Sequence, residues 1–469
     1  MKKYTFYVAT LLLATLMFFP ACSENDPEPA AQDTASQSGG SVTPDPGPTP
    51  DPGPTPDPSA FSWSYDAENK RLTITGRAIP DYPNAESQPW YEYKASISEV
   101  ILPTEGFDSI GSYAFYGTNV ETIILPDGLT YIGDYAFSNC YKLKNIKLPY
   151  FLKTVGVGVF RSALALETVE MSGSSLKTIP ENFCRDCYFL NLFTMPTSIT
   201  KIDRYAFYGC SRLVNVNTSL HPYDKFYMPT TLKRIGSHAF CFCRSLTEVK
   251  IDNGSNVIVD TLAFQGCDKL ATVTLSKVAK LDSMAFAFCG ALTSVTLNNS
   301  LTSVGKYAFC EDTALTEVKS TLALQSIEKS AFYDCKKLVK FTFSNSLRQI
   351  GPSAFCGCTN LLKDDGILTI PEGVTKIETS SFYGCRYITQ LNLPSTLTAI
   401  GTNGFYGFTT LTKVYCDATT PPTVGSAAFN AMGGTKTTRS LKVPSTAVTA
   451  YKNSTDWTKY FDTSVITSR

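Results

Sequence analysis

Residues Ile132 to Leu148 read I-G-D-Y-A-F-S-N-C-Y-K-L-K-N-I-K-L, and the reading of this stretch decides the fold. Leu143, Ile146 and Leu148 follow one another at spacings of three and two residues. The last two alternate with polar Lys147, the pattern of a strand with one buried face. Pro149 comes next and ends the strand, because it has no amide to donate to a ladder. Upstream, Ile132 and Gly133 precede Ala136-Phe137. That pair is expected on a short helical turn, with alanine leaving room for a neighbour and phenylalanine filling the core. Glycine in this place, also at Gly111, Gly156, Gly236, Gly305, Gly351, Gly401 and Gly425, is assigned to a tight turn.

The pattern recurs along the chain. Phenylalanine stands at 115, 137, 160, 183, 207, 240, 264, 286, 309, 332, 355, 382, 405 and 429, mostly 22 to 24 residues apart. A unit this short cannot enclose a core, so each must bury its apolar face against its neighbours. The order I-G-x-x-A-F-x-x-C-x-x-L-x-x-V-x-L-P resembles the signature of the BspA-like leucine-rich-repeat surface proteins of bacteria. The resemblance implies an α/β repeat solenoid over residues 103–429, with about fourteen coils of about 23 residues and one parallel strand each. Trp63-Ser64-Tyr65, Leu72 to Gly76 and Pro89-Trp90-Tyr91 resemble the family's N-terminal hairpin cap, placed at 59–102. Leu441 to Pro444, Tyr451 and Trp457 to Phe461 resemble its C-terminal end, placed at 430–469. Open solenoid ends need such covers, since bare strands recruit other chains.

Before the repeats, Lys2 and Lys3 lead into an apolar stretch from Tyr4 to Phe19, followed by Pro20-Ala21-Cys22. This resembles a bacterial lipoprotein signal, implying removal of residues 1–21 and lipidation of Cys22. Phe19 stands where that signal ordinarily has leucine, and a cleaved signal peptide with an incidental cysteine is the other reading. Ser23-Glu24-Asn25-Asp26 resembles the sorting signal of Bacteroides-type lipoproteins on the outer face of the outer membrane. Residues 22–58 end in repeated Thr-Pro-Asp-Pro-Gly-Pro, a composition that favours an extended polyproline stalk. Contact with the membrane is therefore expected only through the lipid. Lys+Arg and Asp+Glu are equal at 41 each, which leaves no basic field for nucleic acid.

Chemistry is sparse in this sequence. Of fifteen cysteines, Cys140, Cys210, Cys243, Cys267, Cys289, Cys335, Cys358 and Cys385 each fall three residues after the repeat phenylalanine. One recurring inward position reads as a ladder of reduced thiols acting as small hydrophobes, any disulfides being local staples. Structural zinc needs four convergent ligands, which the pairs Cys184/Cys187, Cys241/Cys243 and Cys356/Cys358 do not provide. The histidines are His221 and His238. His238 stands where other repeats carry tyrosine, and reads as a surface or packing substitute. His221 lies with Tyr223, Asp224 and Lys225 in an insertion over 218–226, and a shorter insertion lies near Lys363 to Gly366. Such insertions become surface loops, either binding elements or neutral lengthening.

No phosphate loop or dinucleotide fingerprint appears, so no cofactor, metal or enzyme activity is expected. The outward strand positions (Lys147, Glu170, Thr194, Asn217, Lys250 and their successors) are small or of mixed charge, with no aromatic row for sugars. Tyr116, Tyr208, Tyr333, Tyr383 and Tyr406 directly follow the repeat phenylalanine. They either anchor a protein partner or pack coil on coil. The family resemblance implies a cell-surface adhesion protein, here expected as a monomer, for host matrix proteins, other bacteria or glycans. The alternatives are a non-catalytic scaffold or accessory of an outer-membrane nutrient-uptake system, and a hydrolase with its site in the 218–226 insertion.

Overall fold

The computed structural model describes residues 61–171, 175–218, 226–252, 256–320 and 322–469. The signal segment, Cys22 and the stalk lie outside the described residues. From residue 61 onward one contiguous hydrophobic core runs through every coil. The expected leucine-rich-repeat solenoid is present, and each typical coil adds a strand to each of two parallel sheets. In the quoted coil these are Tyr131–Ile132 and Asn145–Lys147. Registers stay in step, with Ile146 facing Val169 and Ile132 facing Val155 on the next coil. Equivalent side chains therefore stack in columns.

The phenylalanine column shows this most clearly. Phe240, Phe264 and Phe286 stack at 5.1 and 5.0 Å with planes 1° apart. From Phe286 through Phe309, Phe332, Phe355 and Phe382 the centroids are 5.3 to 5.7 Å apart. Offset stacking of this kind adds about 0.5–1.5 kcal/mol per pair beyond area burial.

The Ala136-Phe137 segment is not a helical turn. Alternate amides of Tyr135, Phe137 and Asn139 donate to the carbonyls of Val157, Val159 and Arg161 on the next coil, at 2.8–2.9 Å. A donor committed there cannot close the i−4 bond of a helix. Tyr135 and Asn139 both take left-handed backbone, with φ of 55° and 58°, and Tyr113, His238 and Tyr307 repeat the first of these. Each such non-glycine residue costs on the order of 1–3 kcal/mol, which the inter-coil bonds offset. The gain is a thin wall. A helix ~10 Å across would not fit a coil step of ~4.8 Å, whereas a turn does.

The repeat glycines also have a different reason from the one expected. None of the eight has positive φ. A Cβ on Gly133 would sit 2.3 Å from the Ser112 nitrogen, and one on Gly401 2.8 Å from the Thr379 nitrogen. They are required by the close approach of the preceding coil.

One coil shifts its register. Cys184 N–H donates to the Ala206 carbonyl at 2.7 Å, the bond made elsewhere by the column phenylalanine, and Asn182 is the left-handed residue. Phe183 thus occupies the alanine place and Cys184 the phenylalanine place. The stack breaks there: Phe183 meets Phe160 edge-on at 86°, and Phe193 from strand Leu192–Met195 packs 4.6 Å from Phe207.

At the first coils, Phe61–Asp66 pairs antiparallel with Arg71–Gly76, which pairs parallel with Glu99–Ile101. Buried Trp90 stacks on Phe115 at 5.8 Å and donates its Nε1–H to the Ala114 carbonyl at 3.0 Å. At the last coils Trp457, Tyr460 and Phe461 gather around Phe429. Both arrangements lay aromatic side chains over the end of the phenylalanine column.

Gly133→Ala should lower stability by about 1–3 kcal/mol in urea unfolding, the cost of overpacking. Gly117→Asn should cost well under 1 kcal/mol by comparison, because a Cβ at Gly117 meets nothing within 4 Å and Asn139 already holds the same left-handed place. Equal losses at the two positions would refute close approach as the reason for the repeat glycine.

Candidate functional site

Burial disarms most of the reactive groups. The fourteen described cysteines are free and buried. The Sγ–H groups of Cys140, Cys187, Cys335 and Cys358 donate to the carbonyls of Phe115, Phe160, Phe309 and Phe332 at 2.9–3.1 Å. Desolvation pushes the Cys140 thiol up to about 12 and also raises Cys335 and Cys358. A thiol that does not ionise is neither nucleophile nor metal ligand. Among the described residues no group of three histidine, cysteine or acidic side chains is placed to hold a metal.

Asp312 takes the cysteine place in its coil and is fully buried. Its Oδ1 accepts the Cys289 N–H at 2.7 Å, while Oδ2 has no partner among the described residues. Burial first, and the neighbouring Cys289 second, hold this carboxyl well above the usual aspartate range. His238 stacks on Tyr205 at 4.6 Å, as its tyrosine-like place requires. Ser237 Oγ lies 2.8 Å from His238 Nδ1 and donates to the Thr261 carbonyl at 2.9 Å. The serine hydroxyl is thus directed at a backbone carbonyl, which is not the arrangement of a nucleophile activated by a base. Burial and the nearby Arg185 also depress the His238 pKa.

The five tyrosines after the repeat phenylalanine are all half-buried, and they do not converge. Tyr383 and Tyr406 stack on adjacent coils at 4.8 Å and 4°. Tyr116 leans on Tyr113 at 5.6 Å. Tyr208 meets Tyr205 and Phe242 at 5.6 Å each, with the Arg185 guanidinium 5.2 Å from its ring. Tyr333 lies coils away from both groups. His221, Tyr223, Asp224 and Lys225 lie outside the described residues. Asn217, expected outward on its strand, is instead buried and accepts from Thr194 Oγ1 at 3.1 Å. The chain returning after the insertion explains this: Phe226 bridges to Val216, and Tyr227 N–H donates to the Val216 carbonyl.

Sequence reasoning missed a set of exposed apolar side chains. Ile101 ends strand Glu99–Ile101 and Ile124 directly follows its neighbour Thr122–Ile123, Ile124 being 87% exposed. Tyr150 and Phe151 are exposed just after a strand, and Tyr141, Tyr188 and Phe189 just after the cysteine column. The signal was available in a coil-by-coil comparison of the two residues that follow that column. A shallow cleft of about 460 Å³ lies among Thr369, Glu372, Asn392, Asp417 and Arg469. Its carboxylates are already engaged, Glu372 by Ser395 N–H and Oγ–H at 3.0 Å and Asp417 by Arg469.

Residues 89–214, 218–338 and 366–454 match the family model described as BspA type leucine rich repeat region, in six copies. None of the curated proteins matches the chain. Among solved structures, a leucine-rich repeat protein from Bacteroides ovatus is similar at 22% identity and TM-score 0.49, covering 76% of this chain and 93% of that one. One from Eubacterium ventriosum follows at 22% identity and TM-score 0.42, over 70% and 93%. A leucine rich cell surface protein from Faecalibacterium prausnitzii is similar at 24% identity and TM-score 0.36, over 76% and 92%.

Asp312 gives a pH signature whose sign is fixed. Its folded pKa lies above the unfolded value of about 3.9, so its contribution is fully retained below that value and lost as pH rises toward the folded pKa. Asp312→Cys, which restores the column residue, should therefore gain on the parent as pH is raised from 4 to 7. Urea unfolding at both pH values measures the difference, and a gap that does not widen with pH would mean the carboxyl is ionised in the fold. Thiol labelling offers a separate check: the fourteen buried cysteines should react with an aromatic disulfide reagent only at the rate of unfolding.

Proposed function

The chain belongs to the BspA-type leucine-rich-repeat family of bacterial surface proteins, and from that premise we propose that it is a surface-displayed binding protein for extracellular macromolecules. The observation that carries this reading is the uneven surface. The folded coils expose their large apolar side chains chiefly near the start of the solenoid, at Ile101, Ile124, Tyr141, Tyr150, Phe151, Tyr188 and Phe189. Exposed apolar groups gathered within a polar frame mark interaction sites. Anchorage through a lipid on Cys22 and a polyproline stalk over residues 22–58 would hold these coils away from the outer membrane. The reading has the protein act as a monomer, without a cofactor, on a protein or glycan ligand. The half-buried Tyr116 and Tyr208 belong to the same coils and to the candidate contact region.

Immobilised matrix proteins and glycans, screened against the chain from residue 59 onward, provide the test. At least one should bind with a Kd below about 10 μM, or roughly −7 kcal/mol. A panel on which nothing binds removes the reading.

A further inference from the structure

We propose that the coil corner running from Tyr141 to Arg212 docks an extended protein segment whose apolar side chains are flanked by carboxylates. This rests on the binding function above and names the partner chemistry for one part of that surface. The corner is formed by the two residues that follow the cysteine column in each coil. Successive coils place there Tyr141-Lys142, Leu164-Ala165, Tyr188-Phe189 and Ser211-Arg212. Tyr141, Tyr188 and Phe189 are 48%, 46% and 44% exposed, high values for side chains of this size beside a packed core. At a coil step of ~4.8 Å the four coils span about 15 Å, the length of four or five extended residues.

The fold does not ask for aromatic residues there. In the seven coils from Cys267 to Phe408 the same two positions are Asp-Lys, Gly-Ala, Thr-Ala, Lys-Lys, Thr-Asn, Arg-Tyr and Thr-Thr. Those coils keep the same cores and registers, so the aromatic side chains at Tyr141, Tyr188 and Phe189 are surplus to packing.

Charge selects the partner. Lys142, Arg161, Arg185 and Arg212 belong to these four coils, and ion pairs engage two of the four. Lys142 pairs with Glu121 at 3.1 Å and Arg185 with Asp186 at 3.4 Å. Arg161 and Arg212 have no ion pair among the described residues. The Arg212 guanidinium lies 4.2 Å from the centre of the Phe189 ring and covers one face. That face is closed to the flat stacking a sugar ring would use. The guanidinium, with no side-chain hydrogen bond among the described residues, lies beside exposed aromatic surface, a pairing that suits carboxylates flanking apolar side chains.

A fluorescein-labelled decapeptide alternating leucine and aspartate serves as the probe, read by anisotropy against the chain from residue 59 onward, which contains the whole described core. It should bind, and weaken at least tenfold with Arg212→Glu and with the pair Tyr188→Thr, Phe189→Ala. Those last replacements are residues that the Asp312 coil carries at the same places, so the fold accepts them, and unchanged urea midpoints verify it. Raising salt from 0.05 to 0.3 M should also weaken binding. The proposal is overturned if the acidic peptide does not bind, if its lysine counterpart binds equally, if the variants bind like the parent, or if a sulfated oligosaccharide binds more tightly. A matrix ligand that binds parent and variants alike would leave the general binding function standing and remove the corner. A peptide that binds while the whole panel fails would do the reverse.

Discussion

A coil step of about 4.8 Å, set by hydrogen bonds between successive turns of the chain, is the constraint to which the other features answer. It makes Gly133 obligatory, because the preceding coil's backbone passes where a Cβ would be. It holds Tyr135 and Asn139 in left-handed backbone so that the intervening amides reach the next coil. It brings phenylalanines into offset stacks 5.0 to 5.7 Å apart along the column from Phe240 to Phe382. It also places a thiol under many of the column's carbonyls, as Cys140 lies under Phe115. Removing one such contact disturbs two coils, since every group serves its own coil and a neighbour.

The period, the two apolar strand positions and the cysteine column were legible because each repeats in register and repetition averages out local exceptions. What escaped detection was conformational or came from a single coil. Left-handed backbone at Tyr135 or Tyr307 has no composition signal, since tyrosine does not favour it and the inter-coil bonds impose it. Glycine at 133 looked like a turn residue because closeness to another coil cannot be seen within one repeat. The exchange of Phe183 and Cys184 between column places kept the spacing near 23 residues and so passed as regular. Asn217 was misplaced because burial there depends on Phe226, beyond an insertion. For the candidate site, attention to the residue after phenylalanine found Tyr116 and Tyr208, yet the more exposed aromatics lie after the cysteine column.

The thin turn wall bears directly on function. With turns on one side and strands on the other, both walls advance by a similar step, so no helix fans the coils apart into a deep groove. Reactive groups end up inside: burial raises the Cys140 thiol to about 12, holds the Asp312 carboxyl above its usual range, and leaves His238 stacked on Tyr205. Such a frame offers little for catalysis among its described residues. It offers positions instead, at fixed intervals, where any side chain is tolerated.

That tolerance makes composition at those positions informative. A residue that the fold demands says nothing of ligands, and Phe286 or Cys335 would be retained in a solenoid that bound nothing. A residue that the fold permits without demanding carries no such explanation. Tyr188, Phe189 and Arg212 stand where other coils place threonine, alanine and lysine with no loss of register. Exposing two aromatic rings side by side favours self-association and solubility loss in a secreted solenoid. Selection against that hazard would remove them unless a partner covers them, and the guanidinium already resting on Phe189 limits which partners fit.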